Sequence, residues 1–174
     1  MTAAALARTL ILMRHAHAVA GKADGDHERD LSARGEQEAR DAGEWLHRHD
    51  FGVDEVLCSS AERARQTAAG VWAGGCAEAD LRVDEHLYNA GPERLLAAVR
   101  EADADADVVL VIAHVPGIPA LASLLADGNG SGKAHEALCA GFPPAGMAIL
   151  RYSGAWGDLS PGAASLREFR APSV

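Results

Sequence analysis

The stretch "DVVLVIA", Asp107 to Ala113, decides the fold. After Asp107 every residue is apolar, and most are β-branched, so neither face of the strand it predicts is suited to water. A strand with a solvated face alternates. One that is apolar on both faces sits inside a sheet covered by helices on each side, which is the situation of parallel strands in α/β proteins.

Working outward, four more short runs read as strands: Thr9 to Met13, Glu55 to Ser59, Met147 to Tyr152 and a weaker one at Leu81 to Val83. The charged "SLREFRA", Ser165 to Ala171, is expected to return beside Met147 to Tyr152 as an antiparallel edge, where its charges meet solvent. Helical spacing fills the gaps. In "LSARGEQEARDAGEWLHRHD", Ser32 is placed to cap a helix, with Ala39, Ala42, Gly43 and Leu46 on one face and His47, Arg48 and His49 at its end. Other helices are expected over Ala61 to Ala73, Pro92 to Ala102 and Gly117 to Ala126, with Pro92 suited to a first turn. The Gly- and Ser-rich stretches Ala126 to His135 and Ser153 to Ser165 read as loops. This order predicts a three-layer α/β/α fold with a mostly parallel central sheet and an antiparallel edge. At 174 residues and 48% hydrophobic content, a single domain over residues 1–174 is expected.

Composition narrows the function classes. A formal net charge of −9 disfavours nucleic acid or an anionic membrane as partner, because the long-range field repels phosphate. Any anion site must then be local. Cys58, Cys76 and Cys139 are odd in number and lack CxxC spacing, which points to no disulfide framework, no zinc site and a reducing cytoplasm. Arg8 and Arg14 leave only Thr9 to Met13 between them, too short for a secretory apolar segment.

In open parallel sheets ligands bind beyond the carboxyl ends of the strands. Thr9 to Met13 runs into Arg14 and His15, Glu55 to Ser59 into Ser60 and Arg63, and Asp107 to Ala113 into His114. Brought together, two arginines and two histidines make a phosphate clamp, since a guanidinium fork matches phosphate oxygens. A neutral imidazole can attack phosphorus, and surrounding positive charge both favours the neutral ring and stabilises the transition state. Neither a metal nor another cofactor is required. Competing readings are structural roles for the Arg-His pair and for His114, and a metal site in which His15 and His17 are joined by Asp24, Asp26 or His114. The barrel that usually carries such a metal site needs about 250 residues. Ser59 and Ser60 lack a G-x-S-x-G elbow, so they are expected to hydrogen-bond rather than attack.

"LILMRHAHA", "VLCSSAERARQTA" and "VIAHVP" resemble, in order and spacing, three signatures of the histidine phosphatase superfamily, whose members share a phosphoglycerate mutase-like fold. "DHERDLSARG" is similar to the loop of its SixA-type phosphohistidine phosphatases, and the resemblance spans about Leu10 to Leu121. It implies His15 as nucleophile, Arg14 and Arg63 as phosphate-binding groups and His114 as a further phosphate contact. His17, on the same side as His15 along an extended segment, and Ser59 join the substrate-contacting set. Ala16 stands where the family usually has glycine, and Asp30 where it often has proline. The general acid stays open between Glu85 and Asp26. The expected activity is a metal-independent phosphatase acting through phosphohistidine, with phosphohistidine on a protein as substrate and a small phosphoester as the alternative. A metal-dependent hydrolase and a non-catalytic phosphate-binding module rank behind. No cofactor is expected, and the chain is expected to act as a monomer.

Overall fold

A computed structural model describes residues 6–21, 25–76 and 79–173. Its strands are β1 (Ala7–Arg14), β2 (Glu55–Ser59), β3 (Asp80–Asp84), β4 (Val108–Ala113), β5 (Ala126–Gly130), β6 (Met147–Ser153) and β7 (Ala164–Arg170). Its helices are α1 (Ala33–Arg48), α2 (Glu62–Ala73), α3 (Pro92–Arg100), α4 (Gly117–Leu125) and α5 (Gly132–Ala140). The strands form one sheet in the order β3-β2-β4-β1-β6-β7-β5. From β3 to β1 all neighbours are parallel, while β1–β6 and β6–β7 are antiparallel.

Alternation along the central strands creates the three layers. Leu10 and Leu12 of β1, with Val109 and Val111 of β4, face a core completed by α3, α4 and α5. Ile11 and Met13, with Leu110 and Ile112, face a second core under α1 and α2. Each of these residues is almost wholly removed from water. Burying such a side chain contributes roughly 1.5–3 kcal/mol, so the both-sides-apolar strands are where the fold gains most. Ser32 caps α1 as its position predicts, its Oγ accepting from Gly35 N at 3.0 Å.

The segment expected as a loop at Ala126 to His135 is instead β5 followed by the first turn of α5. "ADGNG" carries no strand-forming side chain; it is held by backbone pairing, Ala126 with Ala164 and Gly130 with Leu166. Gly130 has φ +93°, and a Cβ there would stand 2.2 Å from Leu166 O. Because β5 covers β7, the charged strand is the second from the edge rather than the edge itself.

Candidate active site

The sheet order puts β2, β4 and β1 side by side and parallel, so their carboxyl ends open onto one place. His15 N donates to Ala113 O at 3.0 Å, carrying the β1–β4 ladder one residue past the strand. Across the same end, Ala145 N donates to Arg14 O and His15 O at 3.1 and 3.0 Å, from a backbone with φ +59°. Arg14, His15, His17, Asp26, Arg29, Arg63 and His114 then line a cavity of about 370 Å³, with Ala18, Asn89, Val115 and Pro144 completing its wall. The structure thus brings together six of the sequence-predicted residues.

The state of His15 follows from its neighbours. Nδ1 lies 2.7 Å from Ala16 O, and a carbonyl only accepts, so Nδ1 carries the ring proton and Nε2 keeps its lone pair. Arg63 Nε donates to that lone pair at 3.3 Å. Burial above all, then the charges of Arg63, Arg14 and Arg29, push the His15 pKa down to about 4, against the opposing pull of Ala16 O. The ring is neutral at pH 7. Arg14 is anchored by Nη1 donating to Phe142 O at 2.9 Å.

His114 is also held neutral, its pKa lowered to about 3 by burial first and then by His15 and Arg63. Its Nε2 is 2.7 Å from Ser59 Oγ, which also accepts from Ala61 N at 3.2 Å. Ser59 can donate to that ring nitrogen or accept from it. It therefore serves either tautomer of His114, whose Nδ1 meets Arg63 Nη2 at 3.4 Å as an acceptor in one and offers N–H to an anion in the other.

Asp26 is half-exposed but held by three neighbours. Tyr88 Oη donates to Oδ2, Arg63 Nη2 lies 3.2 Å from the same atom, and Arg29 Nε donates to Oδ1 at 3.0 Å. The Tyr88 hydroxyl first, with the Arg63 and Arg29 charges, lowers its pKa to about 2. At neutral pH it is an acceptor without a proton to give.

Two expected site residues are not in the cavity wall. Ser59 is fully buried behind His114, because the last inward position of β2 points into the core rather than out of the strand end. Glu85 is exposed at the start of a 3₁₀ turn after β3, outside the lining, with Asp84 capping that turn through His86 N. The sequence reading missed Tyr88, Asn89, the wall role of Arg29, and Glu38. Tyr88 touches most of the machinery: besides Asp26 it has the Arg63 guanidinium 5.9 Å from its ring centre and His114 at 5.6 Å, edge on. A Tyr-Asn pair soon after a strand's carboxyl end, in "HLYNAGP", was the available signal.

His17 lines the cavity, its Nδ1 2.7 Å from Ser32 Oγ and its backbone N donating to buried Glu38 Oε2 at 3.0 Å. The metal reading finds no support in arrangement: among the described residues no three His, Cys, Asp or Glu side chains surround a common point, and Asp24 lies outside those residues. Also among the described residues, no helix is long and apolar enough to cross a membrane.

Comparison with known proteins gives a consistent picture. The family profile of the histidine phosphatase superfamily (branch 1) matches residues 10–91. The uncharacterized protein Rv1276c of Mycobacterium tuberculosis is 39% identical over 161 residues, 92% of this chain and 99% of that protein. A candidate phosphohistidine phosphatase SixA from Nakamurella multipartitia superposes with a TM-score of 0.85 at 40% identity, covering 97% of this chain and 98% of its own. A second, from Agrobacterium tumefaciens, gives 0.75 at 27% identity, with 95% and 99% covered.

Proposed function

Since the chain belongs to the histidine phosphatase superfamily, in its SixA-type branch, we propose that it removes phosphate from phosphohistidine on a protein, with His15 Nε2 as the atom that carries the phosphoryl group. The observation that carries this reading is the His15 tautomer: Ala16 O holds the proton on Nδ1, so an unprotonated Nε2 stands among three arginines. A nucleophile in that state needs no base to activate it. Arg14 and Arg63 bind the phosphoryl oxygens, His114 contributes a further N–H, and the charge that gathers on those oxygens meets preorganised donors. Arg63 is also released from its contact with Nε2 as phosphorus takes that place.

The leaving group follows from what the wall offers. Asp26 is held ionised and Glu85 stands outside, so among the described residues the wall offers no protonated carboxyl to an alkoxide. An imidazole departs far more easily, which favours a P–N over a P–O substrate. Val115 in the cavity wall and Val19, next in sequence to the wall residue Ala18, expose 40% and 42% of their surface, apolar area that a protein carrying the phosphohistidine can cover better than a free sugar phosphate. The solved relatives at 40% and 27% identity bear the same phosphohistidine phosphatase description. The chain acts as one domain, as a monomer, in the cytoplasm, where Cys58, Cys76 and Cys139 stay as free thiols.

The test is chemical trapping. Brief mixing with a radiolabelled phosphohistidine protein, then an alkaline quench, should leave label on the enzyme, because phosphohistidine survives base. His15→Ala should lose the label and the turnover together. Activity above a few per cent in that variant would end the assignment.

A further inference from the structure

His17 is the one histidine of the cavity wall that the mechanism above leaves without a chemical task. Its ring is fixed by an ordered set of contacts. Ser32 Oγ accepts from Gly35 N at 3.0 Å and lies 3.2 Å from His17 O, the acceptor for its own proton. The remaining lone pair of Oγ then takes Nδ1–H of His17 at 2.7 Å. That leaves Nε2, which has no hydrogen-bond partner among the described residues, as the ring position free to exchange a proton with the cavity. The backbone is pinned as well, through Glu38 Oε2.

We infer that His17 Nε2 is the proton donor to the leaving imidazole and, in the second half of the reaction, the acceptor of the proton from water. The inference rests on the phosphohistidine phosphatase reading and extends it to the proton. In the first step the His15 Nε2 lone pair forms the new N–P bond. The old P–N bond breaks, its electron pair goes to the substrate ring nitrogen, and that nitrogen takes the Nε2 proton of a His17 that enters the step as imidazolium and leaves it neutral, with Nδ1–H still on Ser32 Oγ. In the second step water oxygen bonds to phosphorus, the His15 N–P bond breaks with its pair returning to Nε2, and the water proton passes to neutral His17. The sum is phosphohistidine plus water giving histidine plus inorganic phosphate, with His15 and His17 both restored.

The alternatives in the wall are already committed. His15 Nε2 attacks, His114 has Ser59 on Nε2 and gives its Nδ1–H to the phosphoryl oxygens, and Asp26 accepts from Tyr88, Arg63 and Arg29. Proton transfer is efficient when donor and acceptor are matched, and imidazole to imidazole is the matched pair. The charged groups facing His17 are Arg14 from β1, Asp26 and Arg29 from the loop before α1, Glu38 with its partner Arg34 on α1 and Arg63 on α2, and the titratable but neutral ones are His15 after β1 and His114 after β4.

The test compares His17→Gln and His17→Asn with the unmodified protein on two substrates. One is a phosphohistidine protein; the other is p-nitrophenyl phosphate, whose leaving group departs without a proton. Because kcat/KM reports formation of the phosphoenzyme, the variants should lose about a hundredfold on phosphohistidine and less than tenfold on nitrophenyl phosphate. With phosphohistidine, the fall of kcat/KM on the alkaline side of the pH profile should disappear. Thermal unfolding identifies a variant that is merely misfolded, and the second variant then decides. Equal losses on both substrates, or an unchanged pH profile, overturn the inference. Absence of label on His15 in the unmodified protein overturns the reading beneath it instead.

Discussion

Arg63 Nε lies 3.3 Å from His15 Nε2, so the guanidinium that would grip a phosphoryl group also guards the lone pair that would attack it. The same side chain donates Nη1 to Asp26 O at 2.6 Å and holds Oδ2 of that residue at 3.2 Å. One arginine on the first turn of α2 therefore orients the nucleophile and the loop across from it.

Replacing Arg63 by lysine should cost about a hundredfold in kcat/KM, on the order of 3 kcal/mol. An ammonium is a point charge and cannot direct separate N–H groups to His15, Asp26 and a phosphoryl oxygen at once. Steady-state kinetics on nitrophenyl phosphate measure this directly. Activity within threefold of the unmodified protein would place Arg63 outside the machinery.

Acid should weaken the fold before any carboxylate titrates. His15 and His114 have folded pKa values of about 4 and about 3, below the ordinary 6.5, so the unfolded chain binds more protons than the folded one once the pH drops under 6.5. Stability is then full above 6.5 and falls as the pH goes down, through about 4 for His15 and about 3 for His114. For His15 alone the full loss is on the order of 3 kcal/mol. Asp26 acts with the same sign but only between 3.8 and about 2. Urea midpoints should drop between pH 7 and 4.5, and less so in His15→Gln; a midpoint independent of pH across that window contradicts the account.

Asp26→Asn and Glu85→Gln separate the two carboxyls. Asp26 is ionised and buttresses Arg63, so its loss should slow good and poor leaving groups alike, by about tenfold. Glu85 is exposed away from the cavity and its substitution should change rates by less than about twofold. A selective loss on alkyl phosphates in either variant would identify it as a proton donor after all.

Gly35→Ala tests how α1 holds the loop after β1. An added Cβ would stand 1.9 Å from His17 O, a backbone atom that cannot step aside, while Ser32 N donates to that same oxygen at 3.0 Å. Destabilisation of about 3 kcal/mol or more is expected from overpacking, read as a lowered urea midpoint, together with loss of activity. A variant as stable as the parent would mean that α1 can shift away from His17.

The central strands and the three carboxyl-end clusters were legible because burial writes itself into residue type: the runs Leu10 to Met13 and Val108 to Ala113 are apolar on both faces, and Arg14 with His15, and His114, follow them at once. β5 was not legible, since "ADGNG" is a strand only through the backbone of β7. For Tyr88 and Asn89 the sequence carried only their nearness to the end of β3; that they turn into the site is set by the path of the loop, which no spacing rule encodes.

The sequence by itself determined which residues could bind and attack a phosphoryl group, since those capacities reside in side-chain chemistry. Which nitrogen of His15 is bare, that the Asp26 pKa is lowered and not raised toward that of a proton donor, and that Ser59 backs His114 while Glu85 stands apart were decided only in the tertiary structure. The physical reason is that a proton's position depends on the atoms facing it, Ala16 O, Tyr88 Oη or Arg63 Nη2, and those meetings exist only once distant segments are packed together.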